Sequence, residues 1–272
     1  MKKTEGKDLR RLGVSLAITM SLISAIFGGS GRGRAGAAPE PLPSTDRLAD
    51  LLDRYVIAGG VDYRGLETDR DALDAFLDSA RGATPDASPR DEALAFWINV
   101  YNSAVLHLVL ERIPGLESVM DVDGFFKGLT VEVAGESMTL NEIEARALAF
   151  GDPRVHFAVV CASQSCPDLR GEPYLASELD SQLDDQTRSF LADQMKGARL
   201  DSDKNVLWLS SIFKWYGGDF AGGTNAMAYL LRARVLKWVA PYLPNGLETE
   251  VSKTSPAIRY LDYDWSLNER ER

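Results

Sequence analysis

The longest helix candidate of this chain reads Glu92-Ala-Leu-Ala-Phe-Trp-Ile-Asn-Val-Tyr-Asn-Ser-Ala-Val-Leu-His-Leu-Val-Leu-Glu-Arg112, and Pro114-Gly115 follows it. Apolar residues occupy nearly every position around the helical turn, so no face is reserved for water. Proline cannot continue a helix, because it lacks a backbone N–H and its ring crowds the preceding turn. The segment therefore predicts a buried central helix over 92–112, against which the rest of the chain packs.

Asn99, Asn102 and His107 are the conspicuous polar side chains of this apolar helix. Buried polar groups cost free energy unless they are hydrogen-bonded, and the two asparagines, three residues apart, share one helix face. Two interpretations stay open. They are struts that bond a neighbouring loop, or they belong to a site in which Asn102 orients a catalytic group and Asn99 contributes to binding.

Helices and strands alternate on both sides of this segment. Hydrophobic periodicity, caps and breakers predict helices over 45–57, 139–150, 177–195 and 224–242, hairpins over 129–139 and 199–209, and strands over 155–161 and 258–262. Thr139-Leu-Asn-Glu142 has the spacing of a capping box. The pattern favours an α+β fold: a single domain with a central mixed or antiparallel sheet, a buried long helix and flanking helices.

The N-terminus is typical of an export signal. Lysines and arginines precede an apolar run over 12–27, and small residues ending in Ala35-Gly-Ala37-Ala38-Pro39 follow it. We therefore expect residues 1–37 to be a signal peptide, the folded domain to span 44–268, and the protein to be periplasmic or secreted, or anchored if the signal is not cleaved. The Arg10-Arg11 pair fits a twin-arginine signal only loosely.

The charge balance narrows the classes of partner. The chain has 30 Lys and Arg against 40 Asp and Glu, a formal net charge of −10. Binding of nucleic acid and of anionic membrane surfaces depends on clustered basic residues, so both are disfavoured as partners. We expect a peptide, protein or glycan substrate instead, and no cofactor.

Both cysteines and one of the two histidines lie in Arg154-Val-His-Phe-Ala-Val-Val-Cys-Ala-Ser-Gln-Ser-Cys166-Pro. A nucleophilic cysteine needs thiolate character, which a neighbouring imidazole supplies, and a third group fixes the imidazole. On a regular strand His156 and Cys161 point to opposite faces about 16 Å apart. The sequence therefore favours Cys166 as nucleophile, His156 and then His107 as base, and Asn102, Asp264 or Asn268 as the orienting group.

Two other interpretations compete with a nucleophilic thiol. In an exported protein the Cys-x4-Cys spacing allows a Cys161–Cys166 disulfide, expected to contribute about 2 kcal/mol. Cys161, Cys166, His156 and Asp168 are also zinc-ligand types, but their spacing matches no familiar zinc site, so we expect no metal. A non-enzymatic binding module with a structural disulfide is thus the alternative to an enzyme.

Two aromatic segments also carry acidic residues, over 208–220 and 260–265. In these segments Trp215, Asp264 and Trp265 are the candidates to line a groove that binds a sugar or peptide. Aromatic residues at strand spacing more often fill a core. The pair Asp262 and Asp264 is too close on one strand face for most glycosidase mechanisms.

Short motifs run in order along most of the chain: Ala95-Phe-Trp-Ile-Asn99-Val-Tyr-Asn102, Thr139-Leu-Asn-Glu-Ile-Glu144, Asp152-Pro-Arg-Val-His156-Phe-Ala, Cys161-Ala-Ser-Gln-Ser-Cys166-Pro, Leu209-Ser-Ser-Ile-Phe-Lys-Trp215-Tyr, Asp219-Phe220 and Tyr263-Asp264-Trp265-Ser-Leu-Asn268. Their number and order resemble the family called domain of unknown function 547. The resemblance implies a single domain over about 44–268 and brings no established activity. The leading hypothesis from the residues is thiol-dependent acyl transfer or amide hydrolysis in the cell envelope.

Overall fold

The computed structural model describes residues 41–222, 228–244 and 246–270, and only the backbone of 228–230. These residues belong to one compact unit, Ala38–Arg272. The predicted signal over 1–37 lies outside the described residues, as do positions 224–227 of the predicted helix over 224–242.

Helices are the commonest regular element of the described chain. The first six are α1 (Asp46–Tyr55), α2 (Tyr63–Thr68), α3 (Arg70–Ala80), α4 (Arg90–Leu110), α5 (Leu140–Leu148) and α6 (Val155–Ala158). The others are α7 (Leu179–Ala192), α8 (Ile212–Trp215), α9 (Gly217–Phe220), α10 (Ala228–Val239) and α11 (Leu247–Thr254). The sequence patterns did not predict α11, whose apolar positions are few.

Helix α4 is the predicted central helix. From Ala93 to Leu110 every side chain is buried except that of His107, which is half-buried. The helix is also long and apolar enough to cross a membrane, yet 94% of its most apolar window is buried inside the domain. A core helix of a globular domain has the same length and composition, and the packing around α4 is of that kind.

The strands form small sheets. They are β1 (Val56–Ile57), β2 (Gly60–Val61), β3 (Thr130–Val133), β4 (Glu136–Thr139), β5 (Ala198–Asp201), β6 (Val206–Leu209) and β7 (Ala257–Tyr260). Strands β1 and β2 pair, as do β3 and β4, and β5-β6-β7 form a mixed sheet in which β6 runs antiparallel to β5 and parallel to β7. The α+β class and both predicted hairpins are confirmed.

The predicted capping box is confirmed at the start of α5. The Thr139 hydroxyl accepts the Glu142 N–H at 3.3 Å, and the Glu142 carboxylate accepts the Thr139 N–H at 2.8 Å. Two N–H groups that lack partners within the helix are thereby satisfied. The cap thus fixes where α5 begins, directly after strand β4.

The predicted central strand over 155–161 is wrong, because Val155–Ala158 forms the helical turn α6. The Asp152 carboxylate accepts the Arg154 N–H at 3.0 Å, and helical bonds follow, including Val159 N–H to Val155 C=O at 3.1 Å. A short run that is apolar on both faces fits a buried helical turn as well as a buried strand, so periodicity alone cannot separate them. The predicted 16 Å separation of His156 and Cys161 loses its basis.

Helix α6 joins two apolar clusters. Val155 and Ala158 pack in the larger cluster around α4, whereas Phe157 packs in a second cluster with β5, β6 and α10. Both sides of this short helix are therefore held by a core. The chain that leaves it, over 159–166, carries both cysteines.

Candidate functional site

The two buried asparagines of α4 hold neighbouring backbone. Asn102 Nδ2 donates to the Ala158 carbonyl and its Oδ1 accepts the Val160 N–H, both at 2.9 Å. Asn99 forms the same pair of bonds with the backbone of Tyr174, both at 2.8 Å. Their side-chain amides are thus occupied by loop backbone, which is the strut arrangement, and Asn102 fixes the segment that leads into Cys161.

Asn99 and Asn102 also line a small cavity of about 10 Å³. That volume holds about one water molecule. The predicted binding role of Asn99 therefore finds no room there for a larger ligand.

Cys161 and Cys166 lie side by side without a bond between them. Their Sγ atoms are 3.0 Å apart, and the Cys161 N–H also donates to Cys166 Sγ at 3.0 Å. A disulfide requires about 2.05 Å. Cys166 is buried, at 4% exposure, whereas Cys161 is partly exposed. A reagent in solvent can therefore approach Cys161 more readily than Cys166.

Two hydroxyl groups flank the Cys161 sulfur. Ser163 Oγ lies 3.1 Å and Tyr263 Oη 3.4 Å from Cys161 Sγ, and Ser163 Oγ donates to the Tyr263 oxygen at 3.3 Å. Ser163 is buried, and Tyr263 is partly buried. The Cys161 sulfur is thus surrounded by groups able to donate hydrogen bonds to a thiolate.

The environments of the two thiols move their pKa values in opposite directions. The hydrogen bond with Cys166 lowers the pKa of Cys161 to about 7, with help from Ser163 and Tyr263 and against the effect of burial. Burial raises the pKa of Cys166, and the interaction with Cys161 adds to the rise. When one proton leaves this pair, it leaves from Cys161.

His156 pairs with an acidic residue that lies far along the chain. Its Nε2 is 2.8 Å from Asp219 Oδ2, which joins α6 to α9. The His156 side chain is only 1% exposed, whereas that of Asp219 is 50% exposed. The ring packs on Tyr216, with centroids 4.2 Å apart. Because a carboxylate only accepts, the pair places the ring proton on Nε2 and leaves Nδ1 as the basic nitrogen.

Two aromatic residues that are adjacent in the chain contact the His156 ring and the Tyr263 ring respectively. Tyr216 packs on His156, and its neighbour Trp215 packs on Tyr263, with centroids 4.8 Å apart. The Tyr263 hydroxyl contacts Cys161 Sγ. Among the described residues neither cysteine makes a direct hydrogen bond to an imidazole.

Glu144, on α5, belongs to the same electrostatic cluster. Burial raises the pKa of its carboxyl, and the nearby Cys161 and Asp219 add to the rise. His156 and the Tyr216 hydroxyl act in the opposite direction. The Glu144 carboxyl is therefore within electrostatic reach of both the candidate thiol and the candidate base.

Trp215, Tyr263 and Trp265 form a cluster that we call the aromatic platform. Tyr263 and Trp265 have centroids 4.5 Å apart, and the rings of Trp215 and Trp265 are stacked at 5.8 Å. Trp215 is 47% exposed, and the other two rings are partly buried. Part of the two aromatic segments therefore reaches the surface beside Cys161, while Phe213 and Phe220 pack in the core.

The C-terminal segment holds the cysteine loop in place. The Ser165 N–H donates to the Asp264 carbonyl at 3.1 Å, and the Asn268 N–H donates to the Ala162 carbonyl at 3.1 Å. The Asp264 carboxylate accepts from the hydroxyl and N–H of Ser266, which lowers its pKa. Asn268 Oδ1 accepts from the Tyr63 hydroxyl at 2.8 Å. These two candidates for orienting His156 are thus engaged elsewhere.

The remaining candidates are also engaged outside this cluster. His107 Nδ1 lies 2.8 Å from Asp74 Oδ1, and its Nε2 lies 3.3 Å from Glu111. Asp168, considered above as a zinc ligand, forms an ion pair with Lys196. In the part of the chain that the structure describes, no group of three or more His, Cys, Asp or Glu residues is arranged to hold a metal ion.

Sequence reasoning did not assign a role to four residues of this site: Ser163, Tyr263, Glu144 and Asp219. Each lies in one of the quoted motifs or between the cysteines. Asp219-Phe220 ends the aromatic segment over 208–220, and this position was the sequence signal that could have pointed to Asp219. The partner of Asp219 is 63 residues away, so spacing could not identify the pair.

The fold and site define an α+β domain with a pair of unbonded cysteines and a buried histidine that pairs with an aspartate. Residues 85–191 match the family model described as Protein of unknown function, DUF547, which confirms the family predicted from the motifs. The match over residues 85–191 supports this family. Neither the curated proteins nor the solved structures contain a significant match. The matched segment includes α4, α5, α6 and both cysteines, whereas Asp219 and Tyr263 follow it.

Proposed function

We propose that this domain is a thiol-dependent acyl transferase or amide hydrolase with Cys161 as the nucleophile. One observation carries the proposal: Cys161 is the partly exposed member of the cysteine pair, and its hydrogen bonds lower its pKa to about 7. A thiolate near neutral pH is the reactive form of cysteine. Cys166, which the sequence favoured, is buried and has a raised pKa, so it serves as the hydrogen-bond partner of the Cys161 sulfur.

His156 is the proton acceptor in this proposal. Asp219 holds Nε2, so Nδ1 is the nitrogen that exchanges the proton. An imidazole oriented by a carboxylate is the usual partner of a nucleophilic thiol. The link through Tyr216, Trp215 and Tyr263, and the shared effect on Glu144, support the proximity of this pair to Cys161.

The reaction then has two steps. The Cys161 thiolate attacks a carbonyl carbon, an S–C bond forms, and the leaving amine departs with a proton from the His156 imidazolium. Water or a second amine next attacks the thioester, gives its proton to His156, and releases the acyl group together with the Cys161 thiolate. The first acceptor gives hydrolysis and the second gives acyl transfer.

The test uses an activated ester, p-nitrophenyl acetate, with the reduced protein. We expect a burst of p-nitrophenolate equal to one per chain and an acetyl group on Cys161 by peptide mass spectrometry. Cys161→Ser should abolish the burst, whereas Cys166→Ser should retain a slower one. A burst that survives in Cys161→Ser, or acetyl groups found on other residues alone, would overturn the proposal.

The 3.0 Å contact of the two sulfur atoms favours one alternative function. Exchange with an external disulfide, which leaves as two thiols, would join them in a disulfide, and the domain would then act as a binding module without a nucleophile. Thiol labelling of the protein purified without reductant separates the two proposals. Two cysteines that react only after reduction support the binding module, and one reactive Cys161 before reduction supports the enzyme.

We also propose that the protein works in the cell envelope. The support is the signal-like composition of residues 1–37. Fractionation of cells that express the full chain, with mass spectrometry of its N-terminus, tests this location. A full-length protein in the cytoplasmic fraction would contradict it.

A further inference from the structure

Arginine side chains lie on many of the aromatic rings of this protein. Guanidinium groups lie 5.2 to 6.0 Å from the ring centroids of Tyr55, Phe150, Trp97, Tyr174, Tyr242 and Trp208, the last of which has two such neighbours. In the described ranges no such contact is found on Trp215, Tyr263 or Trp265. The rings beside the candidate nucleophile are therefore without the cation that several others have.

The aromatic platform has the geometry to receive a cation. Trp215 is 47% exposed and stacks with Trp265, and Tyr263 packs between the two rings and Cys161. The face of an aromatic ring carries negative charge density, and a cation within about 6 Å of its centre is attracted, most strongly by tryptophan. One exposed and one partly buried indole ring thus lie one tyrosine away from the sulfur atom.

The ionic groups near the platform have mostly negative charge. The Asp264 carboxyl, next to Trp265, has a lowered pKa and is ionised at neutral pH. Asp219 is half exposed beside the His156 ring, and Asp262 is also exposed. Lys214, an exposed neighbour of Trp215, is the cationic residue of this segment. The chain as a whole has a net charge of −10. This field favours a cationic ligand over an anionic one.

We propose that the aromatic platform binds an alkylammonium or guanidinium group of the substrate and so directs basic substrates, such as peptides with lysine or arginine, to Cys161. That a substrate is directed to Cys161 rests on the proposed function. That the bound group is a cation rests on the uncovered rings and the surrounding carboxylates. The cation lies on Trp215 and Trp265, and the reacting carbonyl extends past Tyr263 to the sulfur. Neutral and anionic substrates lack this contact.

Alkylating agents of different charge test the platform without requiring catalysis. The probes are a trimethylammonioethyl iodoacetamide, neutral iodoacetamide and anionic iodoacetate, used on the reduced full chain, and peptide mass spectrometry follows the thioether at Cys161. Each rate constant is divided by that of a small free thiol with the same reagent. We expect the normalised rate to be at least about five times higher for the cationic probe than for the neutral one, and lowest for iodoacetate.

Ring-removing variants separate the platform from the general negative field. Trp215→Leu and Trp265→Leu keep an apolar side chain, and each should lower the cationic-to-neutral ratio about two- to fivefold. Trp208→Leu is the matched control, because Trp208 already has Arg199 and Arg259 on its ring, and it should leave the ratio unchanged. Near-ultraviolet circular dichroism verifies that the variants are folded, and two single variants keep the test informative if one is not.

The outcomes also separate this inference from the proposed function. A ratio near one in the wild type, or a ratio that responds to Asp264→Asn and to added salt but not to either Trp→Leu change, would overturn the platform. Charge selection without any acetyl thioester would leave the platform supported and reject the proposed enzyme. An acetyl thioester without charge selection would support the proposed enzyme and reject the platform.

Discussion

His156 Nε2 lies 2.8 Å from Asp219 Oδ2, although the two residues are 63 positions apart in the chain. The pair joins α6, inside the family-matched segment, to α9, beyond it. His156 is buried and Asp219 is half exposed, so the carboxylate lies between the imidazole and solvent. The arrangement fixes the ring and its tautomer and depends on two parts of the chain that only the fold brings together.

The His156–Asp219 pair predicts a matched set of kinetic effects. His156→Ala should slow the p-nitrophenolate burst about 10²-fold or more, because the thiol loses its proton acceptor. Asp219→Asn should slow it about 10²- to 10⁴-fold, because an amide also donates and allows the ring proton to shift to Nδ1. Asp264→Asn, whose carboxylate bonds Ser266, is the control and should retain the burst. Equal bursts in Asp219→Asn and the wild type would contradict the role of the pair.

The lowered pKa of Cys161 predicts a defined pH profile. Because the pKa of an acid falls when its anion is stabilised, the thiolate fraction of Cys161 is lost only below about pH 7, whereas a free cysteine loses it below about pH 8.5. Iodoacetamide alkylation of Cys161 should accordingly reach half its maximal rate near pH 7. A midpoint at or above that of free cysteine would show that the site does not stabilise the thiolate.

The hydrogen bonds to Cys161 predict an order of effects on that midpoint. Cys166→Ala should raise the midpoint most, since the Cys166 hydrogen bond is the largest cause of the lowered pKa. Ser163→Ala should raise it less, and Tyr263→Phe least. Stopped-flow alkylation across pH measures all three variants. A larger shift in Tyr263→Phe than in Cys166→Ala would contradict this account of the thiolate.

The two asparagine struts predict similar stability losses with different effects on the thiol. Asn102→Ala and Asn99→Ala each leave one buried N–H and one buried carbonyl without a partner, so each should lower the free energy of unfolding by about 2 to 5 kcal/mol. Urea denaturation measures this loss. Only Asn102→Ala should also change the alkylation rate of Cys161, because Asn102 holds Val160 and Asn99 holds Tyr174. Identical alkylation rates in both variants would show that the hydrogen bonds of Asn102 do not position Cys161.

The capping box predicts a smaller, local effect. Thr139→Ala removes the side chain that accepts the Glu142 N–H, and it should lower the free energy of unfolding by about 1 kcal/mol. Ser137→Ala, at an exposed position of β4, serves as the control and should change stability little. Urea denaturation of both variants gives the comparison. A free energy of unfolding that is unchanged in Thr139→Ala would show that the capping box does not stabilise the domain.

Local patterns were enough to predict several elements of this fold. The apolar segment around Asn99 predicted α4, and hydrophobic alternation predicted the hairpins β3-β4 and β5-β6. The box at Thr139 and Glu142 predicted the start of α5. Each of these signals extends over a few residues, as a periodic pattern of apolar side chains or as hydrogen bonds to nearby backbone. The element can therefore be predicted without knowing which segment packs against it.

The segment over 155–161 shows where such patterns fail. Residues 155–160 are all buried, so this stretch has no solvent-facing side from which to measure a period. The hydrogen bond from the Arg154 N–H to the Asp152 carboxylate begins a helical turn. The packing of Val155 and Phe157 in separate apolar clusters stabilises that turn. This change of element also removed the geometric reason for preferring Cys166 to Cys161.

The sequence by itself determined the α+β class, the buried central helix, the family resemblance and the region that holds both cysteines and His156, because composition, periodicity and motif order are properties of the chain alone. Only the tertiary structure decided which sulfur is exposed, which hydroxyls surround it, and that Asp219 is the residue that pairs with His156. Exposure and pKa depend on what surrounds a group in space, and the surroundings of Cys161 come from segments as far away as Tyr263.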